Sequence, residues 1–316
     1  MERARKWVQG VWLVLANGYW AFPWTKTIYK GPMKVICSPG LNCYSCPAAT
    51  VFCPMGALQQ LLLNVRSSIA FGQYYFGAFV LGSIGMMGAV FGRFICGWAC
   101  PFGFFQELLH KLPSRKFPIP NLLRWLKYFI LLFLVILFPL IVVNDVGMGS
   151  PWFCKYVCPA GTFQAGIPML LLQPELRAAV GWLFINKLII AISFTVWSVF
   201  SSRPFCRTAC PLGAFYALFA HWQLIRLQLN KENCTNCGAC HKVCPVDVKF
   251  NETPASCECV NCMRCMTEAC AFDAISVEVA GFPVFGPDVG KTRSPLISGV
   301  LGRIRRRKPA DMNPNP

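Results

Sequence analysis

Four apolar segments, alternating with four copies of one cysteine–proline phrase, restrict what this chain can fold into. The phrase is C-P-M-G-A-L-Q at Cys53, C-P-F-G-F-F-Q at Cys100, C-P-A-G-T-F-Q at Cys158 and C-P-L-G-A-F-Y at Cys210. In three copies a second cysteine stands four residues earlier, at Cys96, Cys154 and Cys206; in the first it is Cys46, seven residues earlier. The apolar segments cover about 7–24, 69–92, 123–143 and 182–200, each near the roughly 20 residues a helix needs to cross a bilayer core. Cysteine pairs therefore recur at successive membrane edges, a placement suited to holding redox metal on both faces.

Composition agrees with a polytopic membrane protein: 55% of the 316 residues are hydrophobic and 14% charged. The N-terminal apolar stretch carries bulky aromatics and no small-residue cleavage site, so no removable signal peptide is expected. The net charge of +17 accompanies no nucleic-acid recognition motif, and no nucleic acid is expected as a partner. The basic residues collect at segment ends. Arg3, Arg5 and Lys6 precede the first segment, Arg93 to Lys127 join the second to the third, and Arg203, Arg207 and Arg226 follow the fourth. The positive-inside rule then predicts a multi-pass protein of the inner (cytoplasmic) membrane with both termini cytoplasmic. Cys37, Cys43, Cys46, Cys53, Cys154 and Cys158 fall outside; Cys96, Cys100, Cys206 and Cys210 fall inside. Lys187, just within the fourth segment, is expected to reach outward to the interface.

The predicted fold is an α-helical integral membrane protein of about four transmembrane helices in two parallel repeats, 1–118 and 119–228. A C-terminal two-cluster ferredoxin-like α+β module follows over 229–280, then a linker and basic tail over 281–316. The glycine-rich second segment is read as a packing surface, and the tail as an amphipathic helix on the inner leaflet or a free cationic end.

Nineteen cysteines could serve disulfides or metal, and spacing chooses metal. The run C-T-N-C-G-A-C-H-K-V-C-P follows the two-cluster ferredoxin pattern, in which three cysteines hold one 4Fe-4S cluster and the fourth crosses to the other. The run C-V-N-C-M-R-C-M-T-E-A-C-A departs from it by one extra residue before Cys270 and by Ala271 where proline is usual. The expected ligand sets are Cys234, Cys237, Cys240 and Cys270 for one cluster and Cys259, Cys262, Cys265 and Cys244 for the other. Zinc, which also takes paired C-x2-C units, fits three consecutive cysteines less well. The inner loops supply a third set, Cys96, Cys100, Cys206 and Cys210. The outer loops hold six cysteines where four suffice. Symmetry selects Cys46, Cys53, Cys154 and Cys158, with Cys37 and Cys43 as alternative ligands and disulfides as the competing use. Cys257 is left as a bystander. His110 and His221 occupy equivalent places in the two halves and are read as interface residues, so haem is not expected.

With C-G-W-A-C-P at Cys96, C-R-T-A-C-P at Cys206 and the Cys234–Pro245 run, nearly the whole chain resembles the NapH and NosR type of membrane polyferredoxin. That resemblance implies membrane electron transfer, often between quinol and a periplasmic redox enzyme. The chain departs from NosR in showing no N-terminal flavin-binding domain, and from the family in its additional outer cysteines. These departures favour a wire reaching both faces. Its expected partners are a cytoplasmic ferredoxin-like donor or redox enzyme and an extracytoplasmic cytochrome or flavoprotein, with catalysis residing in those partners. The alternatives are a quinol/quinone oxidoreductase subunit of NapH type, with quinone as a cofactor, and an assembly factor or metal reductase serving a maturing copper or haem protein.

Overall fold

The computed structural model describes residues 2–70, 77–143 and 149–286. Helix α1 spans Glu2–Ala16, α2 Pro54–Ala70, α3 Ala78–Val90, α4 Pro101–His110, α5 Asn121–Ile141, α6 Trp182–Phe200 and α7 Pro211–Leu218, with shorter turns between them. Among the described residues two helices, α5 and α6, are long and apolar enough to cross a membrane. The other two expected segments fold differently. The first ends at Ala16 rather than near Pro23, where the Asn17 side chain donates to Leu13 O at 3.0 Å. Within 69–92 the chain breaks at Gly77, whose φ of +53° only glycine adopts without strain. It therefore forms α2 and α3 instead of one span, and residues 71–76 lie outside the described ones. The expected tail helix also lies outside them.

The phrases act as helix starts. Pro54, Pro101, Pro159 and Pro211 each open a helix, where the missing N–H costs nothing and the fixed φ is already helical. Cys100, Cys158 and Cys210 precede them with extended backbone.

Polarity is turned inside out relative to a soluble protein. On α1, Trp7, Val11, Val14 and Leu15 are exposed while Arg5 and Gln9, one turn apart, are buried. Arg93, Lys127 and Arg203 are also at most 1% exposed, whereas α6 turns Trp182, Ile189, Ile192 and Val196 outward. Apolar surface outward and paired charge inward suits lipid. Inside, one cluster joins Leu41, Met55, Ile84, Phe102, Phe153, Phe205 and Leu212 with Cys37, Cys53, Cys96, Cys100, Cys158 and Cys210. Helix approach there rests on shape: a side chain at Gly88 would strike the Phe219 ring at 2.7 Å.

The C-terminal region is framed by an antiparallel sheet, β1 Ile225–Leu229, β2 Ile275–Val279 and β3 Phe282–Phe285, in that order. Register Leu227 to Val277 sets their side chains on the buried face. The sheet itself extends outside 229–280, through β1 at one end and β3 at the other.

Candidate metal centres

All nineteen cysteines are free thiols. In the C-terminal module the two cysteine runs fold alike. Asn236 and Asn261, before each second cysteine, share positive φ (52° and 46°), as do Gly238 and Met263 after it (71° and 62°) and Asp247 and Asp273 further on (57° and 50°). Val248 N–H donates to Cys244 Sγ and Ala274 N–H to Cys270 Sγ, both at 3.3 Å. The Ala271 and spacing departures therefore leave the wrapping intact. Cys234, Cys237, Cys240 and Cys270 line one small cavity. Cys244, Cys259, Cys262 and Cys265 line a second, which Cys240 also touches. Among the described residues no three His, Cys, Asp or Glu side chains converge as a single ion requires. Four thiols around a void, with N–H groups aimed at sulfur, fit a cubane better than a point ion. Burial pushes the Cys259 thiol up to about 12, so it would ionise only with metal replacing its proton.

The two inner loops lie together. Cys96, Cys100, Cys206 and Cys210 are all buried, and each of Cys206 and Cys210 feels the charge of the other loop's two thiols. Gln106 fastens the pair of loops: its Oε1 accepts from Phe205 N–H at 3.1 Å and its Nε2 donates to Cys206 Sγ at 3.1 Å. Gly213 N–H donates to Cys210 Sγ at 3.4 Å. Arg93, Arg203 and Lys127 stand around Cys96 and would offset the charge of a four-thiolate cluster.

Their carboxylate partners tie the module down. Glu258 pairs with Arg93 (3.0 Å) and Lys127 (2.6 Å), Asp247 with Arg124 (3.1 Å) and Arg207 (3.3 Å), and Glu2 with Arg264. Trp98 Nε1–H donates to Asn261 O at 3.1 Å, and a side chain on Gly97 would sit 2.4 Å from Val260 O. The inner loop beside Cys96 thus lies against the segment between Cys259 and Cys262.

The outer cysteines do not stay apart from the inner ones. Gly40 packs so closely on the inner loop that a Cβ there would lie 2.7 Å from Cys100 Cα, and Tyr216 donates its hydroxyl proton to Pro39 O at 3.0 Å. Cys37 is buried in the same cluster and interacts with Cys53. Cys53, Cys154 and Cys158 come together, each within the electrostatic reach of Cys43. Cys46 is also within the electrostatic reach of Cys43, but its Sγ points to Asn17 Oδ1 at 3.8 Å, beside Lys34. Lys187 Nζ comes close to these outer-loop thiols, beside Cys43 and Cys158. His221 Nε2 stands 3.7 Å from Cys257 Sγ.

Sequence reading missed the glutamines. Gln59, Gln106 and Gln164 end three of the four phrases, and that recurrence was the available signal.

The 4Fe-4S binding domain family matches the chain four times, over residues 51–69, 73–120, 126–172 and 183–230, each match taking in one cysteine–proline phrase. A second 4Fe-4S binding domain matches residues 227–250. Among curated relatives, an uncharacterised protein of Methanocaldococcus jannaschii is 33% identical over 60% of this chain and 74% of its own length. The methylamine utilization ferredoxin-type protein MauN of Paracoccus denitrificans is 28% identical over 54% of this chain and 53% of its own. The regulatory protein NosR of Stutzerimonas stutzeri is 27% identical over 54% of this chain and 22% of its own. The chain thus spans about half of MauN and less of NosR. No solved structure matches.

Proposed function

This chain belongs to the 4Fe-4S binding domain family of ferredoxin-type electron-transport proteins, and from that premise we propose that it carries electrons between a cytoplasmic and an extracytoplasmic redox partner through four 4Fe-4S stations. When bound, such clusters take up and release one electron at a time. Cys234, Cys237, Cys240 and Cys270 hold the first station, Cys244, Cys259, Cys262 and Cys265 the second, Cys96, Cys100, Cys206 and Cys210 the third, and outer cysteines the fourth. The helices cross the inner membrane in two parallel repeats with both termini cytoplasmic, and the C-terminal module receives the cytoplasmic partner.

The observation that carries this reading is continuity. Cys240 borders both module cavities, Gly97 next to Cys96 abuts Val260, and Gly40 from the outer loop abuts Cys100. A hydrocarbon core roughly 30 Å thick would defeat electron tunnelling between sites at its two edges. The loop through Cys37–Gly40 reaches inward and shortens that gap.

The test uses sealed vesicles with the module facing outward, a reductant outside and an impermeant acceptor within. Cys206→Ser and Cys158→Ser are each expected to stop reduction of the enclosed acceptor while the module clusters stay reducible, since each loss removes a ligand from one station only. Normal trans-membrane reduction by either variant would reject the two-faced wire in favour of a quinone reaction at one face.

A further inference from the structure

The last residue of the phrase does the same work in three places. Gln106 accepts from the N–H of Phe205, next to Cys206. Gln59 accepts from the N–H of Cys154 at 3.3 Å. Gln164 accepts from the N–H of Cys43 at 2.6 Å. These three phrases thus fasten the facing loop at, or one residue before, its upstream cysteine, and for the first loop that cysteine is Cys43. The seven-residue spacing that singles out Cys46 in the sequence has no counterpart in this clamp.

The surroundings agree. Gly161 of the third phrase lies where a Cβ would be 3.8 Å from Cys43 Sγ, 4.0 Å from Cys158 Sγ and 3.7 Å from Lys187 Nζ, so two sulfurs and an ammonium gather about one point. Cys158 feels the charges of Cys43 and Cys53, and Cys154 those of Cys158, Cys53 and Cys43. Thr162, 1% exposed, follows Gly161 and has a hydroxyl with no hydrogen-bond partner among the described residues, a donor open to a cluster sulfur.

We propose that Cys43, Cys53, Cys154 and Cys158 are the ligands of the outer 4Fe-4S site and that Lys187, projecting from α6, is its counter-cation. The proposal rests on the reading that an outer station exists. A four-thiolate cluster is an anion whose negative charge grows by one when it accepts an electron. A cation facing it from a water-poor helix therefore stabilises the reduced form more than the oxidised form and raises the reduction potential. Lys187 acts as a positioning charge and takes no part in the transfer.

The experiment compares wild-type protein, Cys43→Ala, Cys46→Ala, Cys158→Ala and Lys187→Gln, all purified anaerobically. Iron is counted, and electron paramagnetic resonance spectra are followed while dithionite supplies electrons against a mediated potential. The outer signal is defined as the one lost in Cys158→Ala. Cys43→Ala is expected to lose the same signal and about four irons, with the module signals intact to show that the chain has folded. Cys46→Ala is expected to keep that signal, and Lys187→Gln to keep the iron while its midpoint alone moves to lower potential. Loss in Cys46→Ala with retention in Cys43→Ala would overturn the ligand choice. An unmoved midpoint in Lys187→Gln would overturn the counter-cation. If Cys158→Ala removes neither iron nor signal, the outer station itself fails, an outcome distinct from a wrong choice of ligand.

Discussion

At the scale of single residues, a carboxylate shared by two cations recurs. Glu107 holds Arg5 at 2.8 Å and Arg203 at 3.0 Å, as Glu258 holds Arg93 and Lys127. Arg5 also pairs with Glu2, whereas Arg93 and Lys127 share Glu258 and so keep positive charge in excess near the inner thiols, where an anionic cluster would balance it. Arg203 and Arg5 hold the Glu107 carboxyl below the usual carboxylate range against the opposing effect of its own burial. Glu107→Gln takes the carboxylate from buried Arg203 and leaves Arg5 with Glu2 alone, and is expected to cost about 3–5 kcal/mol, read as a lowered melting temperature in detergent. Because the folded pKa is depressed, the carboxylate's contribution is complete above the ordinary carboxylate value and fades only as pH falls below it. The gap between wild type and Glu107→Gln is therefore expected to be constant from neutral pH down to about 5 and to narrow below that. Tyr216→Phe, which removes one hydrogen bond to Pro39, is expected to cost about 1 kcal/mol. It should leave the iron count unchanged while slowing transfer from the inner to the outer station, a rate that flash reduction would resolve.

At the scale of elements, glycine decides how loops meet. Gly97→Val would drive a side chain into Val260 O, a backbone atom that cannot step aside. The expected outcome is a full complement of iron with the module clusters reducible but electron passage to the inner station reduced at least tenfold, measured by stopped-flow absorbance. Retained passage would show that the module docks elsewhere. The ferredoxin runs were legible from their spacing because their ligands are local, three within seven residues. Their shared positive-φ positions at Asn236, Gly238, Asn261 and Met263 were less so, since Met263 has no composition that announces such a backbone. Helix α2 was not legible as a helix apart from the second span, because the apolar run of the sequence continues past Ala70.

At the scale of the whole molecule, four stations imply about sixteen irons per chain. Chemical analysis of anaerobically purified protein is expected to approach that number, and about eight irons, unchanged in Cys96→Ala, would leave only the module metallated. Topology is open to reporter fusions. A fusion after Lys155 is expected to report export and one after Lys308 retention, since the basic clusters between α4 and α5 and after α6 resist translocation. An exported reporter after Lys308 would reverse the orientation and with it the side on which the module meets its partner.

By itself the sequence determined the chemistry. Cysteine spacing named the cofactor, and the recurrence of the phrase raised the expectation that Cys96 and Cys100 meet Cys206 and Cys210, because repetition preserves relations that do not depend on how far the copies lie apart in the chain. Only the tertiary structure decided which cysteines of a non-repeating loop belong together. Cys37, Cys43 and Cys46 are equivalent thiols to a reader of spacing. What separates them is the Gln164 amide that holds Cys43, the Asn17 side chain that faces Cys46 and the buried contact of Cys37 with Cys53. Those contacts span up to 121 residues, and Lys187 likewise turns to the thiols through a neighbour far away in the chain. Local pattern carries no information about such partners, since their energy comes from surfaces that exist only after the helices have packed.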